Sequence, residues 1–312
     1  MSTAVSPLKK DIRDTKVRKF FWRAWRERSA YLFLAPGVLI FSVFTLAALI
    51  FAFYLTFHRW SIIEPEKPYV GLTNYDDMVH DERFLQAVLN TIYFTGASVP
   101  ITMAIGLGLA LLLNQPVRGR AIFRTAYYLP VVTPFVVSAL LWKWLYNGEF
   151  GLFNYYLLKG HIIDEPLLWL SDKDLAMPAV VLMSIWSGVG FSMVVYLAGL
   201  QAIPEELYES AKLDGAGTLR RVWYITVPML RPTTLFLLVI GIISSLQVFT
   251  QIFVMTSGGP VNKTTTMVYY MYLWAFKYYD MGYASTLAFG LFAMLLVFTA
   301  FQLRMFRGGD GS

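Results

Sequence analysis

The sequence predicts an all-α polytopic membrane protein with six transmembrane helices. Two observations carry that expectation. Hydrophobic residues make up 57% of the chain, charged residues only 15%, and the mean hydropathy is +0.53, whereas about a quarter of the residues of a soluble domain are charged. Six stretches also reach the length, about 20 mostly apolar residues, that crossing the hydrocarbon core demands. They lie at 31–57, 87–113, 122–146, 176–200, 232–256 and 282–303.

The first stretch follows a basic leader, exceeds the apolar core of a signal peptide and is followed by no small-residue cleavage site, so it reads as a retained anchor. The second, like the first, carries no Asp, Glu, Lys, Arg or His. The third holds Pro130 and Pro134 and places Lys143 near its outer end, within reach of the interface. The fourth opens near Pro178, and Pro100 interrupts the second. Such prolines free carbonyls that neighbouring helices or a cavity must satisfy. The fourth and fifth are again free of charge, and Arg304 marks the inner end of the sixth. Residues 1–30 form a basic segment, 31–306 the helical domain with a loop at about 201–231, and 307–312 a short tail.

With six spans, eighteen of the 26 Lys and Arg residues fall on the side of the termini and eight on the other. The positive-inside rule therefore places both termini in the cytoplasm. The net charge of +6 sits where anionic lipid attracts it, so membrane lipid is its expected partner and nucleic acid is not.

Several chemistries are excluded. Zero cysteine removes disulfides and thiolate metal sites. No lysine is preceded by glycine, so the phosphate-cradling GxxxxGK[ST] loop is absent and this chain is not itself an ATPase. The spans lack the charges expected of a proton or sodium path. His58, His80 and His161 read as solvated loop residues, Asp172-Lys173-Asp174 as a solvated cap, and Asn262-Lys263-Thr264 fits the glycosylation pattern without further support. No catalytic acid, base or metal set is visible, and no cofactor of its own is expected.

What the spans offer is uncharged polarity. Ser184-Ile-Trp186-Ser187-Gly188-Val-Gly190-Phe191-Ser192 precedes the loop, and Ser244-Ser245-Leu-Gln247-Val-Phe-Thr250-Gln251 follows it. Ser184, Ser187, Gly188 and Phe191 share one helical stripe. Close helix packing accounts for any one of these residues; two amides and a Trp go beyond what packing requires. Hydroxyls, amides and aromatic faces are the groups that bind sugars. In the loop, Pro204 suits a first helical turn, and Glu205, Glu206 and Glu209 complement the positive end of a helix. Gly215 can supply the left-handed residue that ends it.

Glu209-Ser210-Ala211, Asp214-Gly215-Ala216, Ile225 and Pro228 resemble the EAA loop of permease subunits in binding-protein-dependent ABC importers, with Ser in place of the usual middle Ala. Val70-Gly71-Leu72-Thr73-Asn74-Tyr75, Arg118-Gly119-Arg120 with Phe123-Arg124-Thr125 and Leu129-Pro130, Gln201-Ala202-Ile203-Pro204 and Ser257-Gly258-Gly259-Pro260 are similar to the maltose, glycerol-phosphate and trehalose branch. The resemblance covers 31–306. It implies the type I ABC importer permease fold in a prokaryotic cytoplasmic membrane, a second homologous permease as heterodimer partner, an ABC ATPase dimer that uses ATP and Mg, and an extracellular or periplasmic solute-binding protein. It also implies sugar contacts at Ser184, Ser187, Gly188, Phe191, Ser244, Ser245 and Val248; Gln251 is added from its spacing, seven residues beyond Ser244. Coupling to the ATPase is expected at Glu205, Glu209, Ala211, Asp214, Gly215 and Pro228. The family's asparagines after the loop are replaced by Ser245, Gln247 and Val248, and the large periplasmic insertion of the maltose protein is missing. A passive channel or facilitator is the alternative, and it would have no need of the ordered loop.

Overall fold

A computed structural model describes residues 28–116 and 118–307. The lysines and arginines at positions 9–26, which support the expected topology, and the tail beyond Arg307 lie outside the described residues. Two units divide between Leu55 and Thr56. In the first, α1 (Arg28–Phe41) passes through a π turn at Ser42–Leu46 and continues helically over Ala47–Leu55.

The second unit holds the remaining elements: α2 (Thr73–His80), α3 (Glu82–Leu113), α4 (Arg120–Val132), α5 (Phe135–Leu145), α6 (Leu152–Lys159), α7 (Ala176–Gln201), α8 (Glu205–Leu213), α9 (Thr218–Met229, with a π turn at Val222–Thr226), α10 (Arg231–Leu246), α11 (Thr250–Met255), α12 (Met267–Tyr272) and α13 (Met281–Arg307). Among the described residues four helices are long and apolar enough to span alone, and six spans result when the bent pairs α4–α5 and α9–α10 each count as one.

Three of the expected stretches differ in form. The first ends at Leu55 rather than 57, because the Asn74 amide takes the carbonyls of Thr56 and His58 at 2.8 and 3.1 Å. The third is no single helix but bends by 99° between α4 and α5. Pro134 has no N–H to continue the ladder, and it drives the preceding Thr133 into extended backbone. The fifth stops at Leu246, and Gln247–Phe249 separates it from α11. The carbonyl of Val248, freed by that break, accepts the Thr266 hydroxyl at 3.0 Å, so that carbonyl is not left stranded.

α7 is the centre of the second unit, with most of its side chains buried, and it packs against α3, α4 and α10. Small residues permit the approach. A Cβ on Gly106 of α3 would lie 2.6 Å from Ser192 Cβ, and one on Gly190 would lie 2.1 Å from the Tyr127 carbonyl oxygen of α4. Around α5 and α6, Trp142, Tyr146, Phe153 and Trp169 form an aromatic cluster with ring centroids 5.1–6.2 Å apart. Buried Asn154 ties that cluster to backbone, donating to the Gly148 and Leu167 carbonyls and accepting from Trp169 Nε1.

Asp81 joins three elements. It caps α3 through Oδ1, which accepts from Arg83 N at 2.9 Å, while Oδ2 accepts the hydroxyls of Tyr270 at 2.6 Å and Tyr283 at 2.8 Å. Asp81→Ala removes the shared acceptor and leaves two part-buried hydroxyls without their partner. Hydrogen bonds to charged groups contribute about 1.5–3 kcal/mol each, so a loss of about 3 kcal/mol is expected. Thermal unfolding of the detergent-solubilised protein checks it, and an unchanged midpoint would refute a structural role for Asp81.

Two sequence expectations for polar loop residues divide here. Asp172 is a cap, its Oδ1 accepting from Asp174 N at 2.7 Å and Leu175 N at 3.1 Å. His58, expected to be solvated, is instead buried, with its ring edge-on to Tyr69 at 5.4 Å; an antiparallel bridge between these two residues folds the segment back on itself. Among the described residues no group of three His, Cys, Asp or Glu side chains could hold a metal.

Candidate functional site: a neutral cavity and an exposed loop helix

Six helices of the second unit, α3, α4, α5, α7, α10 and α11, line an open cavity of about 430 Å³. From α7 it takes Ser184, Ser187, Gly188, Phe191 and Ser192, the stripe set by helical periodicity. From α10 it takes Ser244, Ser245 and the small Gly241, where a Cβ would meet Val99 of α3 at 3.0 Å. The break then turns Gln247, Val248, Phe249, Thr250 and Gln251 toward the same space. The eight residues singled out in the sequence as sugar contacts therefore converge on one cavity.

Sequence reasoning missed the contribution of α3. Phe94, Ser98 and Thr102 line the opposite wall, with Val99 and Met103 beside them. Their i, i+4, i+8 spacing was available as a signal, but a hydroxyl every fourth residue in an apolar run is also what packing produces. Phe135, the first residue of α5 after the bend, closes another side. Trp186 does not take part: its ring packs on Trp142 at 5.6 Å, so the aromatic faces at the cavity are phenylalanines.

The hydroxyls differ in what they can offer. Ser184 Oγ donates to the Val180 carbonyl at 2.9 Å and Ser245 Oγ to the Ile242 carbonyl at 3.1 Å. Both protons are engaged with backbone, which leaves lone pairs for a solute. Buried Ser187 Oγ has no hydrogen-bond partner. Lys143, expected within reach of the interface, is exposed, and its Nζ lies 3.2 Å from the Val254 carbonyl in the last turn of α11. A cation there complements the negative end of a helix and holds the segment that carries Gln251.

The second site is the loop. α8 has no buried residue. Pro204 stands just before its first turn, with Glu205 and Glu206 following, and Lys212 lies in the last turn. Its end is a Schellman motif: Ala216 N–H reaches the Ala211 carbonyl at 2.8 Å and Gly215 N–H the Lys212 carbonyl at 3.0 Å. Gly215 has φ +73°, and a Cβ there would meet nothing within 4 Å. The Tyr208 hydroxyl lies 2.9 Å from Thr226 Oγ1, which pins α8 to the π turn of α9. Around this junction Leu213, Leu219, Trp223 and Tyr224 are 68–89% exposed. Glu205, Glu209, Ala211, Asp214 and Gly215 lie on or directly after α8, and Pro228 sits in the last helical turn of α9. Among the described residues the single ion pair is His80–Asp76, so the carboxylates of α8 are left free for a partner.

Over residues 79–306 the chain matches the family described as the binding-protein-dependent transport system inner membrane component. It is 35% identical over 280 residues to the trehalose/maltose transport system permease protein MalF of Thermococcus litoralis, an alignment covering 89% of this chain and 93% of that one. Its fold is similar to a chain in the crystal structure of a bacterial ABC transporter involved in the import of the acidic polysaccharide alginate, with a TM-score of 0.82, 25% identity, and coverage of 94% of this chain and 99% of that chain. The same score and identity relate it to the alginate transporter in complex with an alginate pentasaccharide-bound periplasmic protein.

Proposed function

The chain belongs to the family of inner-membrane components of binding-protein-dependent transport systems, and from that premise we propose that it passes a carbohydrate through its cavity and draws the energy from a separate ATPase seated on α8. It is a multi-pass inner-membrane permease subunit of an ABC importer, a transport component rather than an enzyme. The observation that carries the sugar reading is the cavity itself, where hydroxyls, carboxamides and phenyl faces from α3, α7, α10 and α11 surround one space. These are the groups that hydrogen-bond sugar hydroxyls and stack on the apolar face of a pyranose ring.

α8 supports the coupling reading. A short helix with free carboxylates, a fixed end at Gly215 and exposed apolar neighbours is shaped to enter a cleft in another protein. The proposed assembly joins this chain to a second, related permease, a pair of ATPase subunits that use ATP and Mg, and an external solute-binding protein. Both termini and α8 then face the cytoplasm. The relatives differ in cargo by name, trehalose and maltose for one and an acidic polysaccharide for another, so membership leaves the chemical class of the sugar open.

The test is sugar uptake into vesicles holding the chain with its co-purified partners. Uptake is expected to need ATP and to cease when the ATPase is left out. If the purified chain alone admits sugar without ATP, the facilitator reading replaces this one. The lysine on α5 adds a finer check. Lys143→Met frees the last turn of α11, and the KM for sugar should rise about fivefold, the equivalent of about 1 kcal/mol, while complex assembly is unaltered. An unchanged KM would show that α11 keeps its place without Lys143.

A further inference from the structure

We infer that the cavity is built for uncharged glycans and turns away sugars that bear a carboxylate, phosphate or sulfonate; the inference deepens, and rests on, the reading of this cavity as the sugar path. Three features of the lining point the same way. First, every lining side chain among the described residues is apolar or an uncharged hydroxyl or amide. An anion that leaves water for this space meets no counter-charge from this chain, and a desolvated ion without one is strongly disfavoured. Lys143, on the helix that brings Phe135 to the cavity, does not line it and donates to the Val254 carbonyl.

Second, the hydroxyls of Ser184 and Ser245 spend their protons on backbone carbonyls. What they present to a solute is acceptor lone pairs, which suit the O–H donors of a neutral sugar and oppose oxygens that carry negative charge. Third, phenyl rings stand at the cavity from four elements or their junctions, Phe94, Phe135, Phe191 and Phe249. The face of an aromatic ring is its negative side. It attracts the weakly positive C–H face of a pyranose and repels an anionic substituent. Donors remain at Gln247, Gln251 and the unpartnered Ser187 hydroxyl, enough to orient a sugar hydroxyl and without the charge to neutralise an acid.

Gln251 and Ser244 are therefore the positions at which one added cation should change the class of sugar accepted. The test is equilibrium binding of labelled sugars to the purified complex of permeases and ATPase, with the solute-binding protein left out so that its own selectivity does not enter. The probes are matched pairs: maltose with maltobionate, and trehalose with trehalose 6-phosphate. The neutral member of a pair should bind at least about tenfold more tightly. In assembled Gln251→Lys complex that preference should vanish or reverse, and Ser244→Lys provides the same reading should the first variant fail to assemble. Equal binding of neutral and acidic members by the wild-type complex would overturn the inference while leaving the sugar importer intact. So would a preference that neither lysine variant moves. Binding of no sugar from either pair would instead remove the sugar reading on which the inference stands.

Discussion

Gly188→Leu is expected to abolish uptake while leaving the protein folded and assembled. Gly188 sits on the cavity stripe of α7, and its missing side chain is part of the empty space. A Cβ there would approach Thr102 Cγ2 to 3.2 Å and meet no backbone atom within 4 Å. The helix can therefore accept a side chain, in contrast to Gly190, where the Tyr127 carbonyl stands at 2.1 Å. The rest of a leucine side chain has nowhere to go but the space that a solute would occupy. A loss of uptake of roughly a hundredfold or more is expected, equivalent to about 2.7 kcal/mol of binding, with Gly188→Ala intermediate. Purification yield and retention of the ATPase serve as controls for assembly. Near-normal transport by the leucine variant would remove this cavity from the solute path.

Gly215→Asp should leave the chain in the membrane but release the ATPase or silence the ATP hydrolysis that accompanies transport. The glycine has φ +73° and closes the Schellman motif that ends α8. An L side chain in that conformation costs about 1 kcal/mol of backbone strain, too little to unfold the protein. The larger effect is placement. Among the described residues, nothing beyond the chain neighbours lies within 4 Å of the added Cβ, so the carboxylate projects from the surface at the point where α8 would seat in a partner. Glu209→Lys, on the same exposed helix, should produce a milder defect by reversing one charge. Co-purification of the ATPase and sugar-stimulated ATP hydrolysis are the measurements. Full ATP-dependent uptake by Gly215→Asp would rule out α8 as the coupling element.

Most of the architecture was legible because its causes are local. The need for about 20 apolar residues to cross the bilayer is a property of each segment alone; four of the stretches recur as long single helices and the third as the bent pair α4–α5, while the fifth recurs only in part, its α10 pairing with α9 from the segment expected as a loop. The end of α8 was legible for the same reason. Glycine is the residue that adopts positive φ without penalty, and Gly215 stood where a helix rich in early acids had to stop. The stripe of Ser184, Ser187, Gly188 and Phe191 follows from 3.6-residue periodicity, and it reached the cavity as the spacing required.

Where sequence reasoning fell short, the deciding contacts were distant. Pro130 and Pro134 marked a weak point in the third stretch, yet a 99° turn depends on what receives α5 afterwards, and that is α11, more than a hundred residues later. The break after Leu246 has no proline or glycine to announce it. It persists because Thr266 satisfies the Val248 carbonyl from the far side of a loop. Asp81 drew no attention in the sequence, since its tyrosine partners lie 189 and 202 positions away. By itself the sequence determined the membrane class, most of the spans, the exposed loop helix α8 and half of the cavity, all of them consequences of hydropathy, periodicity and one glycine's backbone. Only the tertiary structure decided where the spans bend, that α3 supplies the facing wall, and that Lys143 meets the last turn of α11, because each of these is a satisfied carbonyl or a filled gap between segments that no local pattern relates.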